Sequence, residues 1–204
     1  MDIKLVFATS PTKSVDGETR HAFGLGNSLP WGYLKQDMIN FSKRTKGTMV
    51  VMGAKTFLSL PDLLSDRVHM VVVSDERELP KTKNGKSAEY YIFDSAFEEF
   101  LKTGNCGGMA VWDNYTYSKN LQFHLGYSNI SVIGGASLLR TSLKYATSVV
   151  KTTIEKKHYV THDVSIDNDF IDEIITKFLL VETHWWNIDE LTELTESVLV
   201  RKVI

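Results

Sequence analysis

The sequence has almost no cysteine: Cys106 is the single one in 204 residues. An internal disulfide and a metal site built from several cysteines are therefore excluded, in keeping with a reducing compartment. No run of about 18 apolar residues occurs, and the first residues carry no basic segment followed by an apolar one. Neither membrane insertion nor secretion is expected, and a soluble, cytoplasmic protein is. An excess of charge of one sign is missing too, with 23 basic against 25 acidic residues and a formal net charge of -2. That balance gives no reason to expect a nucleic-acid partner, and the local run Lys81-Thr82-Lys83 reads as solvated loop. Repeats and low-complexity tracts are absent as well. A single domain, residues 1–204, is expected, long enough to bury a substantial core.

What is present is a series of strand-length apolar runs: Ile3 to Ala8, Met49 to Met52, His69 to Ser74, Tyr90 to Phe93, Ile130 to Ile133 and Ser148 to Ile154. Several are nearly continuous rather than alternating, as in strands covered on both faces. Helical segments fall between them. Leu34 to Thr45 places Leu34, Met38 and Phe41 at helical spacing, with Lys35, Lys43 and Arg44 turned elsewhere. Ser95 and Glu98 have capping-box spacing, with Asp94 as a rival cap, for a helix to about Lys102. Ala136 to Tyr145 and Asn168 to Phe178 read as two more helices. The fold class expected is α/β: a mostly parallel central sheet with helices on both faces. Leu179 to Trp186 and Ser197 to Val203, separated by the acidic stretch Asn187 to Glu196, are expected to add a C-terminal antiparallel hairpin. Residues 105–128, rich in Gly, Asn and aromatics, match no element clearly.

In a mostly parallel sheet, ligands bind beyond the carboxyl ends of the strands. Three stretches occupy such places. Met52-Gly53-Ala54-Lys55-Thr56 passes from strand to helix, where backbone N–H groups, the Thr56 hydroxyl and the Lys55 ammonium can hold phosphate; the alternative is a plain turn. Val132-Ile133-Gly134-Gly135-Ala136 repeats the strand, glycine, helix order, although paired glycines also serve ordinary tight turns. The third is Leu25 to Phe41. Gly24, Gly26 and Asn27 make a loop, Pro30 stiffens its exit, and Trp31 precedes a helix bearing Asp37 among apolar neighbours. By itself, Asp37 reads equally as an exposed acid on an amphipathic helix.

The combination of motifs decides between these alternatives. LGNSLPW, an acid, Phe41 and Thr45, VVMGAKTF, SLPDLLSDR and VIGGASLL, in that order, resemble dihydrofolate reductase. Within that family the sequence looks most like the enzymes of T-even-type bacteriophages, from IKLVF at Ile3 through AFGLGNSLPWG and MGAKTFLSLP to ETHWWNIDELTELTESV. The resemblance covers nearly the whole chain and weakens between about Pro80 and Ser128, so that residues 105–128 look like an insertion atypical of the family.

The resemblance implies reduction of dihydrofolate to tetrahydrofolate by hydride transfer from NADPH, with no metal. It makes Asp37 the family's buried acid, accepting a pair of hydrogen bonds from the pterin, with Leu29 and Trp31 beside the chemistry. Burial against Phe41 and Trp31 should raise the pKa of that acid. Val6, Phe7 and Ala8 would floor the pterin pocket, with Ile133 opposite and Thr152 hydrogen-bonding behind Asp37. Met38, Phe41, Leu60 and Leu64 would line the substrate, and Arg67 would grip its glutamate carboxylate bidentately. On the cofactor side the resemblance implies Gly53, Ala54, Lys55 and Thr56 at one turn and Gly134, Gly135, Ala136, Ser137 and Leu138 at the other, joined by a cis Gly134-Gly135 peptide. Phe23, Gly24, Ser28 and Leu29 would belong to a lid over the nicotinamide, and Ala8 would also touch the cofactor.

Two positions depart from the family pattern. Ala54 stands where an arginine commonly helps bind the 2'-phosphate, which leaves that charge to Lys55 or Arg77, with Ser74 as a hydroxyl donor. Leu139 stands where an aromatic hydroxyl is common. Two alternatives remain at this stage: a folate- or nucleotide-binding assembly component, and a reductase acting on a pyrimidine intermediate of riboflavin synthesis. Asp37 and Arg67 argue against the second. The aromatics of residues 105–128, Trp112, Tyr115, Tyr117, Phe123 and Tyr127, suggest a homodimer interface. A phage-encoded enzyme of this kind would work in the host cytoplasm.

Overall fold

A computed structural model describes all residues except 15–16, 75–78, 105–110, 113–116, 119–127 and 204. The chain runs β1 Asp2–Lys13, β2 Thr19–Gly24, α1 Lys35–Thr45, β3 Met49–Gly53, α2 Ala54–Ser59, β4 Val68–Val73, β5 Tyr90–Phe93 and α3 Asp94–Thr103. It continues as β6 Val111–Trp112, β7 Tyr117–Ser118, β8 Asn129–Gly134, α4 Ala136–Leu143, β9 Ser148–Lys156, β10 Val164–Ile166, α5 Asn168–Lys177, β11 Phe178–Asp189 and β12 Thr192–Arg201. It forms two compact units, Met1–Lys4 with Thr45–Tyr145, and Leu5–Arg44 with Ala146–Ile204. The fold is mixed α/β, mostly parallel in its central sheet, with antiparallel C-terminal strands, as the apolar runs predict.

In the first unit β8, β3, β4 and β5 lie side by side and parallel, with β6 and β7 added antiparallel at the edge. Met49 to Met52 and Met70 to Val73 are buried without a break. Continuous burial is the signature of a parallel strand covered on both faces, and it explains why these runs do not alternate. Where β3 meets β8 the register skips a residue, since Val51 pairs with Val132 but Met52 pairs with Gly134. The resulting bulge falls at Ile133, next to the glycine turn, and re-aims the chain there. The start of α3 differs from expectation: Asp94 is already helical, Phe93 occupies the cap position, and no side chain caps it.

In the second unit β11, β12 and β9 form an antiparallel ladder. β1 pairs with β2, and β2 with β10. β2 and β10 are short and show no strong apolar pattern, and the sequence gives little sign of them. The C-terminal hairpin is longer than expected, because β12 starts at Thr192 and only Glu190 and Leu191 separate it from β11. The physical reason is a period of two within the acidic stretch: Thr192, Leu194 and Glu196 are all buried on one face. An inward-facing glutamate disguised that pattern as a turn.

Candidate active site

The first turn of α1 carries Asp37, which is 4 % exposed. Trp31 and Leu34 lead into the helix and pack with Ile154 of β9 and Leu194 of β12, with Ala8 against the same cluster. This apolar anchoring holds α1 down on the ladder, and Asp37 goes with it. Burial pushes the carboxyl up to about pKa 6. The Trp31 indole pulls it the other way and the charge of Glu196 adds to the rise. The indole N–H makes no hydrogen bond of ordinary geometry, so its influence on the acid comes from proximity. Met38 and Phe41 flank Asp37 and are half-buried, while Thr152 is buried on β9. Val6 and Phe7 are buried in β1, and the Phe7 ring meets that of Phe170 at a tilt of 58° with centroids 5.8 Å apart. The structure therefore brings Asp37, Trp31, Met38, Phe41, Thr152, Val6, Phe7 and Ala8 into one unit.

The loop before α1 is held by the same unit. Leu25 and Ser28 exchange backbone hydrogen bonds of 3.0 and 3.1 Å, with Gly26 in the left-handed region at φ 56°. Gly26 N–H donates to Oδ2 of Asp163 at 2.7 Å, and Asp163 N–H donates to the carbonyl of Gly24 at 3.0 Å. Phe23 and Gly24 end β2, and Ser28 and Leu29 lie at the exposed tip. A short loop tied at one point and open at its tip suits a lid.

The first unit holds the two glycine turns. Gly53 caps α2 and Gly135 caps α4, each without a side-chain hydrogen bond to the helix. A Cβ on Gly53 would stand 3.6 Å from Leu138 Cδ1 and 3.8 Å from Gly135 N, so the turns face each other, and nothing lies within 4 Å of a Cβ on Gly135. Two facing helix starts left uncapped by side chains, with open space at Gly135, are the kind of place that takes a pyrophosphate. Ala54, Lys55 and Thr56 form the first turn of α2, and Ala136, Ser137 and Leu138 that of α4. The expected cis peptide is not found: no cis bond occurs among the described residues, and Gly134 instead takes φ 155°. The reversal is absorbed in a torsion open to glycine, which removes the need for a cis bond.

Arg67 is fixed within this unit by Nε donating to Thr45 Oγ1 at 2.8 Å and Nη1 to the Ser65 carbonyl at 2.6 Å. Leu60 and Leu64 are half-buried nearby in the chain, and Ile133 is buried on β8. Ser74 is exposed just after β4, and Arg77 lies outside the described residues. Leu139 is buried within α4.

A scan against protein families matches the dihydrofolate reductase model over residues 15–173. The chain belongs to the dihydrofolate reductase family. Dihydrofolate reductase type A10 of Escherichia coli is 28 % identical over 186 residues, covering 91 % of this chain and 83 % of that protein. Dihydrofolate reductase type 8 of E. coli is 29 % identical over 133 residues, 65 % of this chain and 67 % of that one. Among solved structures, a dihydrofolate reductase from Enterococcus faecalis complexed with NADP(H) and RAB-propyl has a TM-score of 0.66 at 17 % identity, covering 99 % of this chain and 97 % of that chain. At that identity the likeness speaks for the fold.

This family member also carries polar residues that sequence reasoning passed over. Arg44 does not turn away from the buried face as its charge suggested. It donates from Nε and Nη2 to Oε1 of Glu196 at 3.0 and 2.6 Å, and from Nη2 to Oε1 of Glu182 at 2.9 Å. A guanidinium can reach the buried face when carboxylates wait there, and the helical phase of Arg44 with Asp37 was the signal available. In the first unit, His69 is fully buried: Nε2 accepts from Leu64 N–H at 3.0 Å and Nδ1 faces Glu89 Oε2 at 2.9 Å. The pattern assigns the proton to Nδ1 and ties the segment around Leu64 to β4.

Proposed function

We propose that this chain reduces 7,8-dihydrofolate to 5,6,7,8-tetrahydrofolate, consuming NADPH and a proton, and so supports thymidylate and one-carbon metabolism. The observation that carries this reading is Asp37, the buried acid that follows the LGNSLPW loop in a chain of this family. When bound, NADPH supplies the hydride for C6 of the pterin. The protein's part is placement and proton control. The Asp37 carboxylate accepts the paired N–H groups of the pterin, orienting the ring. With a pKa near 6 it is mostly ionised near neutral pH yet takes up a proton far more readily than an exposed aspartate, which places an acid beside N5, the atom that must be protonated. Thr152, Val6, Phe7, Met38, Phe41, Leu60, Leu64 and Ile133 hold the substrate, and Arg67 binds its carboxylate tail. The uncapped starts of α2 and α4 bind the pyrophosphate, and Lys55 supplies charge for the 2'-phosphate in place of the arginine that Ala54 replaces. Leu29 at the loop tip shields the reaction from water.

The decisive test is the loss of NADPH absorbance on mixing purified protein with dihydrofolate, run beside Asp37→Asn and with NADH in place of NADPH. Dihydrofolate-dependent oxidation by wild type, strongly reduced in the Asn variant and slower with NADH, is the expected result. Folded protein that binds NADPH without oxidising it would overturn the proposal in favour of a binding or assembly role.

The order of the motifs supports a place among phage-type enzymes, with the host cytoplasm as working location. A homodimer is supported by the edge strand β11, where Leu179, Leu180, Val181 and Trp185 are 53–59 % exposed. The aromatics first considered for such an interface lie in residues 105–128, mostly outside the described residues. Sedimentation at micromolar concentration should show a species of twice the chain mass, and a monomer would remove the dimer.

A further inference from the structure

Asp37 and Arg44 lie two turns apart on one side of α1. On the ladder that α1 covers, Glu196 of β12 stands directly across from Thr152 of β9, and Leu194 across from Ile154. Opposed residues of an antiparallel pair project from the same face, here the face on which Trp31 and Leu34 pack. Glu196 therefore sits under α1, and it is 3 % exposed. Both Arg44 contacts, at 3.0 and 2.6 Å, go to a single oxygen, Oε1. The other oxygen, Oε2, is buried and makes no hydrogen bond among the described residues. A buried ion pair satisfied on one side only contributes little stability over apolar side chains of the same size, so stability does not account for it.

The surrounding charges narrow the role further. Arg44 is shared with Glu182 of β11, which also pairs with His184. Arg44 is thus held between carboxylates, and its guanidinium is stabilised first of all by Glu196. Lys151 neighbours Thr152 on β9 but projects from the opposite face, beside His21. Of these groups, Glu196 is the one whose charge reaches Asp37, where it adds to the effect of burial.

We propose that Glu196, clamped by Arg44, is a positioning residue for the reduction: its carboxylate under α1 strengthens the hold of Asp37, the acid that meets the pterin, on a proton. The inference rests on the reading of Asp37 given above. Arg44 donates twice to Oε1 of Glu196 and draws that oxygen toward the far end of α1. Burial denies Oε2 water, so its charge is screened less than at the surface and adds to the effect of burial on Asp37. Two carboxylates in one dry site do not both ionise readily, and the one without the guanidinium retains its proton longer.

The test titrates Asp37 directly. Protein carrying carboxyl-labelled aspartate is followed by carbon NMR, with Asp37→Asn to assign the resonance, in wild type, Glu196→Gln and the double variant Arg44→Gln with Glu196→Gln. All are measured without substrate, and the pH profile of kcat/KM is recorded alongside. Glu196→Gln should lower the Asp37 midpoint by about half a pH unit or more, and the kinetic profile should move acidward with it. The double variant, which strands no charge if Glu196→Gln alone fails to fold, should shift in the same direction by less. A folded variant whose Asp37 midpoint stays at the wild-type value would overturn the proposal, even if its kcat or thermal stability fell. Failure of wild type to oxidise NADPH would overturn the reductase reading while leaving the titration result standing, so the two can fail separately.

Discussion

The backbone N–H of Gly26 points at Oδ2 of Asp163, 2.7 Å away, across 137 residues of sequence. One hydrogen bond to a carboxylate thereby ties the loop before α1 to the segment entering β10, and at this exposed site it is worth about 0.5–1.5 kcal/mol. Asp163→Ala should loosen that loop while leaving its own Leu25–Ser28 pair in place. The expected outcome is a fall of about 5–20-fold in kcat/KM for NADPH. The KM for dihydrofolate should change little, and steady-state kinetics with each substrate varied in turn would separate the two.

Asp37 sets a trade between stability and activity. Its folded-state pKa of about 6 lies above the reference of 3.8, so the folded protein binds an extra proton between these values. Stability from this group is accordingly full below about pH 4, declines as the pH rises to about 6, and stays low above it. Asp37→Asn removes the cost of burying the ionised acid, which amounts to about 2–3 kcal/mol at neutral pH. The variant should melt at higher temperature than wild type at pH 7, with the difference vanishing toward pH 4, while its kcat/KM falls by about 10²–10⁴. Calorimetry across that pH range is the check.

Arg67 presents a guanidinium whose Nε and Nη1 are already committed to Thr45 and Ser65. That fixation pre-orients the planar group for a carboxylate. Lysine has neither the fork nor the second tether, so Arg67→Lys should raise the KM for dihydrofolate by about tenfold or more. Truncating the substrate's glutamate should erase the difference between the two proteins, and equal losses on full and truncated substrate would argue against the assignment.

His69 is a fourth target, structural rather than in contact with substrate. Hydrogen bonds from its ring and backbone outweigh the effect of burial and hold the Glu89 carboxyl below its usual range. His69→Ala leaves the Leu64 N–H without its acceptor and takes the ring partner from the Glu89 carboxylate, which keeps only the backbone N–H of residue 69, and should cost about 2–4 kcal/mol in urea unfolding. His69→Gln, which retains one donor and one acceptor, should recover part of the loss.

The parallel strands were legible because Val50 to Met52 and Met70 to Val73 are apolar without a break, and no surface strand looks like that. Asp37 was legible only through its neighbours in order, since one acid on a helix has no distinguishing local pattern. Arg44 and Glu196 were not, because charged side chains are read as solvated by default and their pairing spans 152 residues of sequence. The short strands β2 and β10 were missed for a related reason: residues such as Thr19, Arg20 and His21 are strand because of the partners beside them. The peptide between Gly134 and Gly135 was expected to be cis from resemblance alone, and the φ of Gly134 makes the bend another way.

The division of the chain has a consequence for its birth on the ribosome. Apart from Met1–Lys4, one unit is written as a single stretch, Thr45–Tyr145, whereas the other needs Leu5–Arg44 and Ala146–Ile204 together. The stretch that builds the nucleotide-type turns can close on itself as soon as it emerges. The helix carrying Asp37 has no ladder to lie on until β9 and β12 have been made, a wait of roughly 8–30 s at ordinary elongation rates. Through that interval Trp31 and Leu34 are exposed, and nascent chains stalled before Thr192 should be far more sensitive to protease in residues 5–44 than in residues 45–145.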